Sequence, residues 1–268
     1  MIDVWLTGVS VFGPGLDGWE RALAVLQRQE VYAPDSIKIP PPTILSLRDR
    51  RRCSEMVSLA LHTAHQAAQA GGLDLATTPT VFSNSAGDGE IVHRLLSALA
   101  KPGKPVSPTD FHNSVHNASA FYWSLGTGCH ASSTSIAAAR FSFAAGLIKA
   151  AIHSVVENTP IVMVCLDTPL PAPLDETYPI VASLAVGLAL RPRATGETLA
   201  RFGLSWISDA ASDAEVSRLQ LPELSDLCHG NPAGRALPLL EAVARRSETT
   251  VNIPGAHDAV LRIDVKCT

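Results

Sequence analysis

The side chains able to do chemistry gather in one stretch, Phe111 to Ala151, which holds three of the nine histidines and one of the five cysteines. A thiol beside an imidazole is the pattern of covalent acyl chemistry, because the thiolate attacks and a base must generate it. Cys129 and His130 are consecutive, however, and consecutive side chains seldom face each other; no acid that would orient the imidazole is evident. Cys129 therefore reads as a half-buried structural thiol sooner than as a nucleophile. His112, Asn113, His116 and Asn117 form a polar patch ahead of a long apolar segment. Such a patch hydrogen-bonds a buried loop or a partner subunit. A metal would need carboxylates, of which the neighbourhood offers only Asp110, so neither metal nor cofactor is expected.

Two further patterns fall short. Ser85 in SNSAGDG has the look of a strained nucleophile turn, but Ser83 stands where that turn needs glycine. The glycines at Gly8–Gly18 and Gly87–Gly89 do not give the spacing that cradles a dinucleotide.

Composition narrows the class. The 268 residues fit one large domain, and 46% hydrophobic against 17% charged residues is apolar enough to expect a face covered by a partner. The net charge of −4, with no basic cluster beyond Arg48, Arg50, Arg51 and Arg52, leaves no electrostatic footprint for nucleic acid. The longest apolar runs, such as Ile180–Leu190, fall short of the roughly 20 residues that span a bilayer, and Met1–Ser10 lacks a secretory pattern. A cytoplasmic protein with no membrane contact is expected. The five cysteines are odd in number, scattered and never in CxxC spacing, which fits reduced thiols.

These residues must be positioned by alternating strands and helices. Ile2–Thr7 is β-prone and stops at Gly8; a helix follows from about Trp19 to Gln27. Val31–Thr43, with Pro34, Pro40, Pro41 and Pro42, reads as an ordered surface connection. From Ser54 to Ala70 small apolar residues recur at three- and four-residue steps, closed by Gly71 and Gly72, which predicts a helix packed close to its neighbour. Thr80–Ser83 is a short buried strand and about Glu90–Leu99 a helix. The alternation predicts α/β with a largely parallel sheet. Pro160–Leu166, Val181–Leu190, Leu204–Ser208 pairing beside it, and Ala259–Val265 are further strands, and Ala236–Arg245 is a helix.

In that order the segments DVWLTGVSVFGPGLDGWE, the Ala-rich helix ending in AGGLDL, VFSNSAGDG, the histidine-asparagine segment, the small-residue helix and PIVMVCLD followed by ASLAVGLAL resemble the N-terminal half of a β-ketoacyl-acyl carrier protein synthase. SVHNA with YWS, STS and SFAAGL is more narrowly similar to the short chain-length-factor-like β-ketoacyl synthase subunits of aryl polyene gene clusters. The resemblance implies a thiolase-like α/β fold over 1–268, with a mixed central sheet flanked by helices. It also implies a truncated C-terminal half, of which about 210–268 is the remnant.

The resemblance further implies a nucleophilic cysteine within the stretch Ala138–Gly146. Aligning the final glycine puts Phe143 there with Ser142 beside it; counting back from PIVMVCL puts Ala138 there. None is a thiol. Family members also carry two histidines in a C-terminal half, whereas only 60 residues follow Ser208 here, with His229 and His257 outside the family's flanking patterns. IPGAHDAVLRIDV looks like the family's closing hairpin, with His257 structural. Local propensity makes Ser132 to Ala151 one continuous helix. The resemblance instead makes Ser135–Phe141 a strand that pairs across a two-fold axis, with the loop Phe111–Gly128 completing the dimer face.

The implied function is a subunit without its own condensing activity, paired with an active β-ketoacyl synthase and meeting acyl carrier protein through that complex. Phe143, Phe121, Tyr122 and Trp123 would wall the acyl pocket. His112, Asn113, His116, Asn117, Ser135, Ile136 and Phe141 would lie at the interface. The rivals are a stand-alone acyltransferase or hydrolase using Ser142 or Cys129, and a homodimeric scaffold.

Overall fold

A computed structural model describes residues 1–208 and 215–268. The start of the expected C-terminal remnant, near 210, lies outside the described residues. The chain opens with β1 (Ile2–Gly13), which runs on well past Gly8. The sequence reading ended this strand at a glycine whose purpose is packing. Thr7 is bulged between the pairs Leu6↔Leu190 and Gly8↔Ala189. The extra residue changes the phase, so Val4 and Leu6 before it and Val9 and Val11 after it face the same core. A Cβ on Gly8 would lie 2.4 Å from the backbone nitrogen of Gly71 and 2.5 Å from the Ala67 carbonyl oxygen.

The two-residue β2 (Leu16–Asp17) folds back on β1 and leads into α1 (Gly18–Leu26). The proline-rich connection has no regular structure, as expected, and ends at the short α2 (Leu47–Arg50). The predicted Ala-rich helix is α3 (Glu55–Ala70), capped by Ser54, whose hydroxyl accepts from the N–H of Val57 at 3.1 Å. Then come β3 (Thr80–Asn84), α4 (Gly89–Leu99), α5 (Pro108–Asn113) and α6 (Ala118–Thr127). The expected loop Phe111–Gly128 is thus mostly helical: Ser107 caps α5, and Gly128, at φ 68°, ends α6.

β4 (Ser133–Ala137) follows, then a 3-10 turn (Ala139–Phe141) and α7 (Ser142–Val156). The continuous helix favoured by propensity does not form, because parallel pairing of β4 with β3 captures the segment. The strand lies two residues earlier than the expected Ser135–Phe141 and leaves Phe141 in the turn. β5 (Ile161–Asp167), α8 (Leu174–Thr177), β6 (Leu184–Arg191), β7 (Ala200–Ile207), α9 (Ser225–Gly230), α10 (Leu237–Ala244), β8 (Thr249–Pro254) and β9 (Val260–Cys267) complete the chain.

The strands form one sheet in the order β4-β3-β5-β6-β1-β7-β9-β8. It is mixed, as the resemblance implied, rather than largely parallel, as the alternation suggested: among the described residues only β3 with β4 and β3 with β5 run parallel, and the other pairs are antiparallel. β7 pairs with β1 and β9 and does not lie beside β6. The closing hairpin β8–β9 turns at His257 and Asp258, both at positive φ, so His257 has the structural turn position the resemblance gave it.

Two hydrophobic layers sandwich the sheet. α1, α7 and α10 lie with one core, and α3 and α6 with the other. The 18 residues Ala139–Val156 are long and apolar enough to cross a membrane by composition, but their Phe143, Leu147, Ala150 and Ala151 are packed into the first core. On the other face α3 approaches very closely, because β6 presents Ala185, Gly187 and Ala189 to Ala60, Ala64, Ala67 and Ala68. A Cβ on Gly8 would strike backbone atoms that cannot yield. Gly8→Ala is therefore expected to cost about 3 kcal/mol of unfolding free energy in urea, while Gly196→Ala, with nothing within 4 Å, stays near neutral. Equal midpoints for the two variants would contradict the close approach.

Candidate functional site

The three parallel strands end side by side, at Asn84, Ala137 and Asp167. The C-terminal end of parallel strands is where α/β proteins place their sites. β4 leaves the sheet through Ala138 (φ −142°, ψ 33°) into Ala139, held at φ 47°. A left-handed conformation costs a residue with a Cβ about 1 kcal/mol or more, so the surroundings must impose it. They do so through Ser142. Its fully buried hydroxyl accepts from the N–H of Ala138 at 3.2 Å and shares its proton between the carbonyls of Ala139, at 2.7 Å, and Asn84, at 2.9 Å. One turn on, a Cβ at Gly146 would lie 2.6 Å from the Ser83 hydroxyl oxygen, so glycine is what seats α7 against β3. The result is a sharp strand-to-helix turn displaying Ala139 and Arg140 to solvent.

Behind it lies a buried polar network. Asp167, 1% exposed, accepts through Oδ1 from the Ser85 N–H at 2.8 Å and the Ser85 hydroxyl at 2.5 Å. Its Oδ2 has no partner among the described residues. Burial pushes the Asp167 carboxyl up from 3.8 to about 7, with the Ser85 hydroxyl and N–H holding it partly down. The Asn231 side chain donates to the carbonyls of Asp167, at 3.2 Å, and Ala182, at 2.8 Å, and accepts from the N–H of Ala233 at 2.8 Å. Tyr178 covers the network. Its hydroxyl is buried beside Ser85 and Asp167 but in hydrogen-bond geometry with neither, and burial raises its pKa. The outer side of Tyr178 lines a cleft of about 280 Å³ with Arg140, Val181, His229, Pro232 and Arg235.

Several expected site residues lie elsewhere. Phe143 is 0% exposed, inside the core with Val81, Leu147 and Met163. Tyr122 and Trp123 are buried in the second core. Of the four pocket candidates only Phe121, 44% exposed, reaches solvent, edge-on to His112 at 4.8 Å and Tyr122 at 5.2 Å. Asn113 is buried and joins its own subunit together: it donates to the Arg52 carbonyl at 2.6 Å and accepts from the Tyr122 hydroxyl at 3.1 Å. His116 is half-buried and Asn117 exposed.

Cys129 is buried, with its Sγ 3.5 Å from the Thr78 carbonyl oxygen, while His130 is exposed. Burial raises the thiols of Cys53, to about 12, Cys228, to about 11, Cys165 and Cys267, the opposite of an activated nucleophile. Among the described residues no three His, Cys, Asp or Glu side chains converge as a metal would require. Sequence reasoning missed Asp167, Tyr178, Arg140 and Arg235. Only the position of Asp167, directly after the buried run of β5, carried a signal.

β4 is the edge of the sheet, with no strand on its outer side among the described residues. It packs between α6 and α7. Exposed apolar side chains flank it on both helices: Phe121 and Leu125 on α6, Ile152, Val155 and Val156 on α7, with Phe111 and Val115 close in sequence.

Because the folded chain binds the Asp167 proton more tightly than the unfolded chain, this residue favours folding most below about pH 4. That contribution disappears as the pH rises toward 7. Asp167→Asn keeps the two bonds from Ser85 and removes the titration. The native chain should therefore lose up to about 4 kcal/mol relative to the variant between pH 4 and pH 7 in urea unfolding. Parallel pH profiles would contradict this.

The profile described as "Beta-ketoacyl synthase, N-terminal domain" matches residues 24–249. No curated protein matches the sequence. Among solved structures, a chain of the ketosynthase (ApeO) in complex with its chain length factor (ApeC) from Xenorhabdus doucetiae superposes with a TM-score of 0.73 at 20% identity, covering 98% of this chain and 100% of that one. A chain of the ishigamide ketosynthase/chain length factor gives 0.73 at 14% identity, covering 98% and 99%. AntDE:AntF, a type II PKS acyl-carrier protein in complex with its ketosynthase bound to the hexaketide, gives 0.74 at 13%, covering 100% and 99%. At these identities the structures show a shared fold, thiolase-like with a mixed sheet and flanking helices. With 226 of its 268 residues within the family profile, the chain belongs to the β-ketoacyl synthase family, by that family's N-terminal domain.

Proposed function

We propose that this chain is a chain-length-factor-like subunit without condensing activity of its own, which pairs with an active ketosynthase and shapes the pocket for its acyl chain in polyene- or fatty-acid-type biosynthesis. The observation that carries this reading is the turn at Ala138–Ser142. It has the strained strand-to-helix form that presents a nucleophile, yet methyl groups stand at Ala138 and Ala139. A methyl group cannot attack a thioester. Ser142, the one hydroxyl there, is buried and engaged on every side. Cys129, the other candidate for a stand-alone acyltransferase, is buried, with the exposed His130 as its sequence neighbour. Likeness to chains from ketosynthase and chain length factor complexes supports the same reading, and the carrier protein in a further relative's complex supports contact with acyl carrier protein through the assembled pair.

The partner's place is the β4 edge. An unpaired strand offers a row of backbone donors and acceptors, and the apolar side chains on α6 and α7 supply hydrophobic area on both sides of it. Ser135 and Ile136 lie on that strand, and Phe141, His112, His116 and Asn117 are partly or fully exposed. Asn113, buried in its own subunit, is not available to a partner. Of the expected pocket walls, Phe121 is the one open to an acyl chain delivered from across this face, and a rigid ring there excludes further chain units.

Leu125→Glu places a charge on this face without touching either core. It is expected to abolish co-purification with a ketosynthase from the same genome while leaving the unfolding midpoint of the isolated chain unchanged. Phe121→Ala in the assembled pair is expected to lengthen the acyl products. A complex that survives Leu125→Glu, or a pair of two copies of this chain in place of the ketosynthase, would count against the heterodimer and favour a homodimeric scaffold.

A further inference from the structure

Two arginines, Arg140 and Arg235, line the cleft beside the strand-to-helix turn, with no carboxylate among its lining residues. Arg140 belongs to the turn Ala139–Phe141 and Arg235 to a second 3-10 turn, Pro232–Ala236, and the two turns pack against each other. Neither arginine makes an ion pair or a side-chain hydrogen bond among the described residues, where every ion pair found is made by another arginine. His229 also lines the cleft, but its Nδ1 donates to the Ser225 carbonyl at 2.8 Å, which leaves Nε2 an acceptor, so it adds no donor for an anion. The remaining walls, Thr177, Tyr178, Pro179, Val181, Gly230 and Pro232, are largely apolar.

From this we infer that the cleft is a binding site for a small organic anion: a carboxylate or phosphate head held by Arg140 and Arg235, on an apolar body lying against Tyr178 and Val181. Two guanidiniums lining one cleft favour an oxyanion between them, which can accept a charge-assisted hydrogen bond from each. The planar guanidinium fork suits either head. Apolar walls with a few convergent polar groups are the usual make-up of a small-molecule site, and about 280 Å³ suits a small ligand.

The walls are already fixed. The Val181 N–H donates to the Gly230 carbonyl at 3.1 Å, and a Cβ on Gly230 would lie 2.4 Å from Val181. The three hydrogen bonds of Asn231 hold the Ala182 and Ala233 backbones in place beneath the cleft. The site adjoins the proposed partner face, since Arg140 follows β4 and neighbours Phe141, but it is complete within the isolated chain and does not require the heterodimer.

The test is calorimetric titration of the full chain with hexanoate, phenyl phosphate, inorganic phosphate and uncharged hexanamide at matched ionic strength. Hexanoate or phenyl phosphate is expected to bind with a dissociation constant of about 1 mM or tighter. Hexanamide and inorganic phosphate should each bind at least tenfold more weakly, one lacking the head and the other the body. Arg140→Gln and Arg235→Gln, both on exposed or half-exposed side chains, should keep the native unfolding midpoint and each lose about tenfold in affinity. Hexanamide binding as well as hexanoate, or folded arginine variants binding unchanged, would overturn the proposal. Leu125→Glu should leave anion binding intact, so failure at the partner face and failure here are read separately.

Discussion

One hydroxyl group holds the functional end of this molecule in shape. The buried Ser142 Oγ ties the Ala138 N–H, the Ala139 carbonyl and the end of β3 together, and so forces Ala139 into a left-handed conformation that its methyl group opposes. The rest follows from that knot. β4 stops at Ala137, α7 starts at Ser142 and runs back beneath the sheet, and Arg140 is thrown outward into the cleft it shares with Arg235. A buried group with three partners is expensive to lose, since removing it strands a donor or an acceptor away from water.

The scaffold around the turn is built for rigidity. Glycine at positions 8, 146 and 187 brings α3 and α7 close to the sheet, and alanine fills most of the facing helix surface. Behind the turn, Asp167, Ser85 and Asn231 link β5 to the loop after β3, the segment before β6 and the turn after α9. Such preorganisation is what a reaction site needs, but the side chains at the turn itself are two methyl groups and an arginine. On the reading proposed here, the fold keeps the frame of a condensing enzyme and puts the free edge of its sheet to use against a catalytic partner.

Much of the frame was legible in the sequence because it rests on local pattern. The stripe of α3 and its Ser54 cap, the fully buried run of β5 and the alternation of β9 each declare their element within a dozen residues. The failures were of tertiary origin. Gly8 looked like a strand end because its real neighbour, the end of α3, lies about sixty positions away. By propensity alone β4 looked helical, because its pairing with β3 is invisible to propensity; the resemblance made it a strand, two residues late. Alternation alone suggested a largely parallel sheet, and only the resemblance made it mixed, because alternating strands and helices do not reveal that β6 returns antiparallel beside β5. At the site, Phe143 was singled out by aligning the final glycine of the nucleophile stretch, and its place one position into α7 turns it into the core. Arg140 and Arg235 are 95 positions apart and meet only through two packed turns, so spacing gave no hint of them.

The central claim is that the open edge of β4 is completed by a ketosynthase. Hydrogen exchange of the amides of residues 133–137, followed in the isolated chain and in a co-expressed one-to-one complex with a ketosynthase from the same genome, addresses it most directly. Slow exchange of these amides in the complex and fast exchange in the free chain, with malonyl-dependent condensation confined to the complex, is the expected result. Unchanged exchange at β4 in a stable complex, or condensation by the isolated chain, would contradict the account.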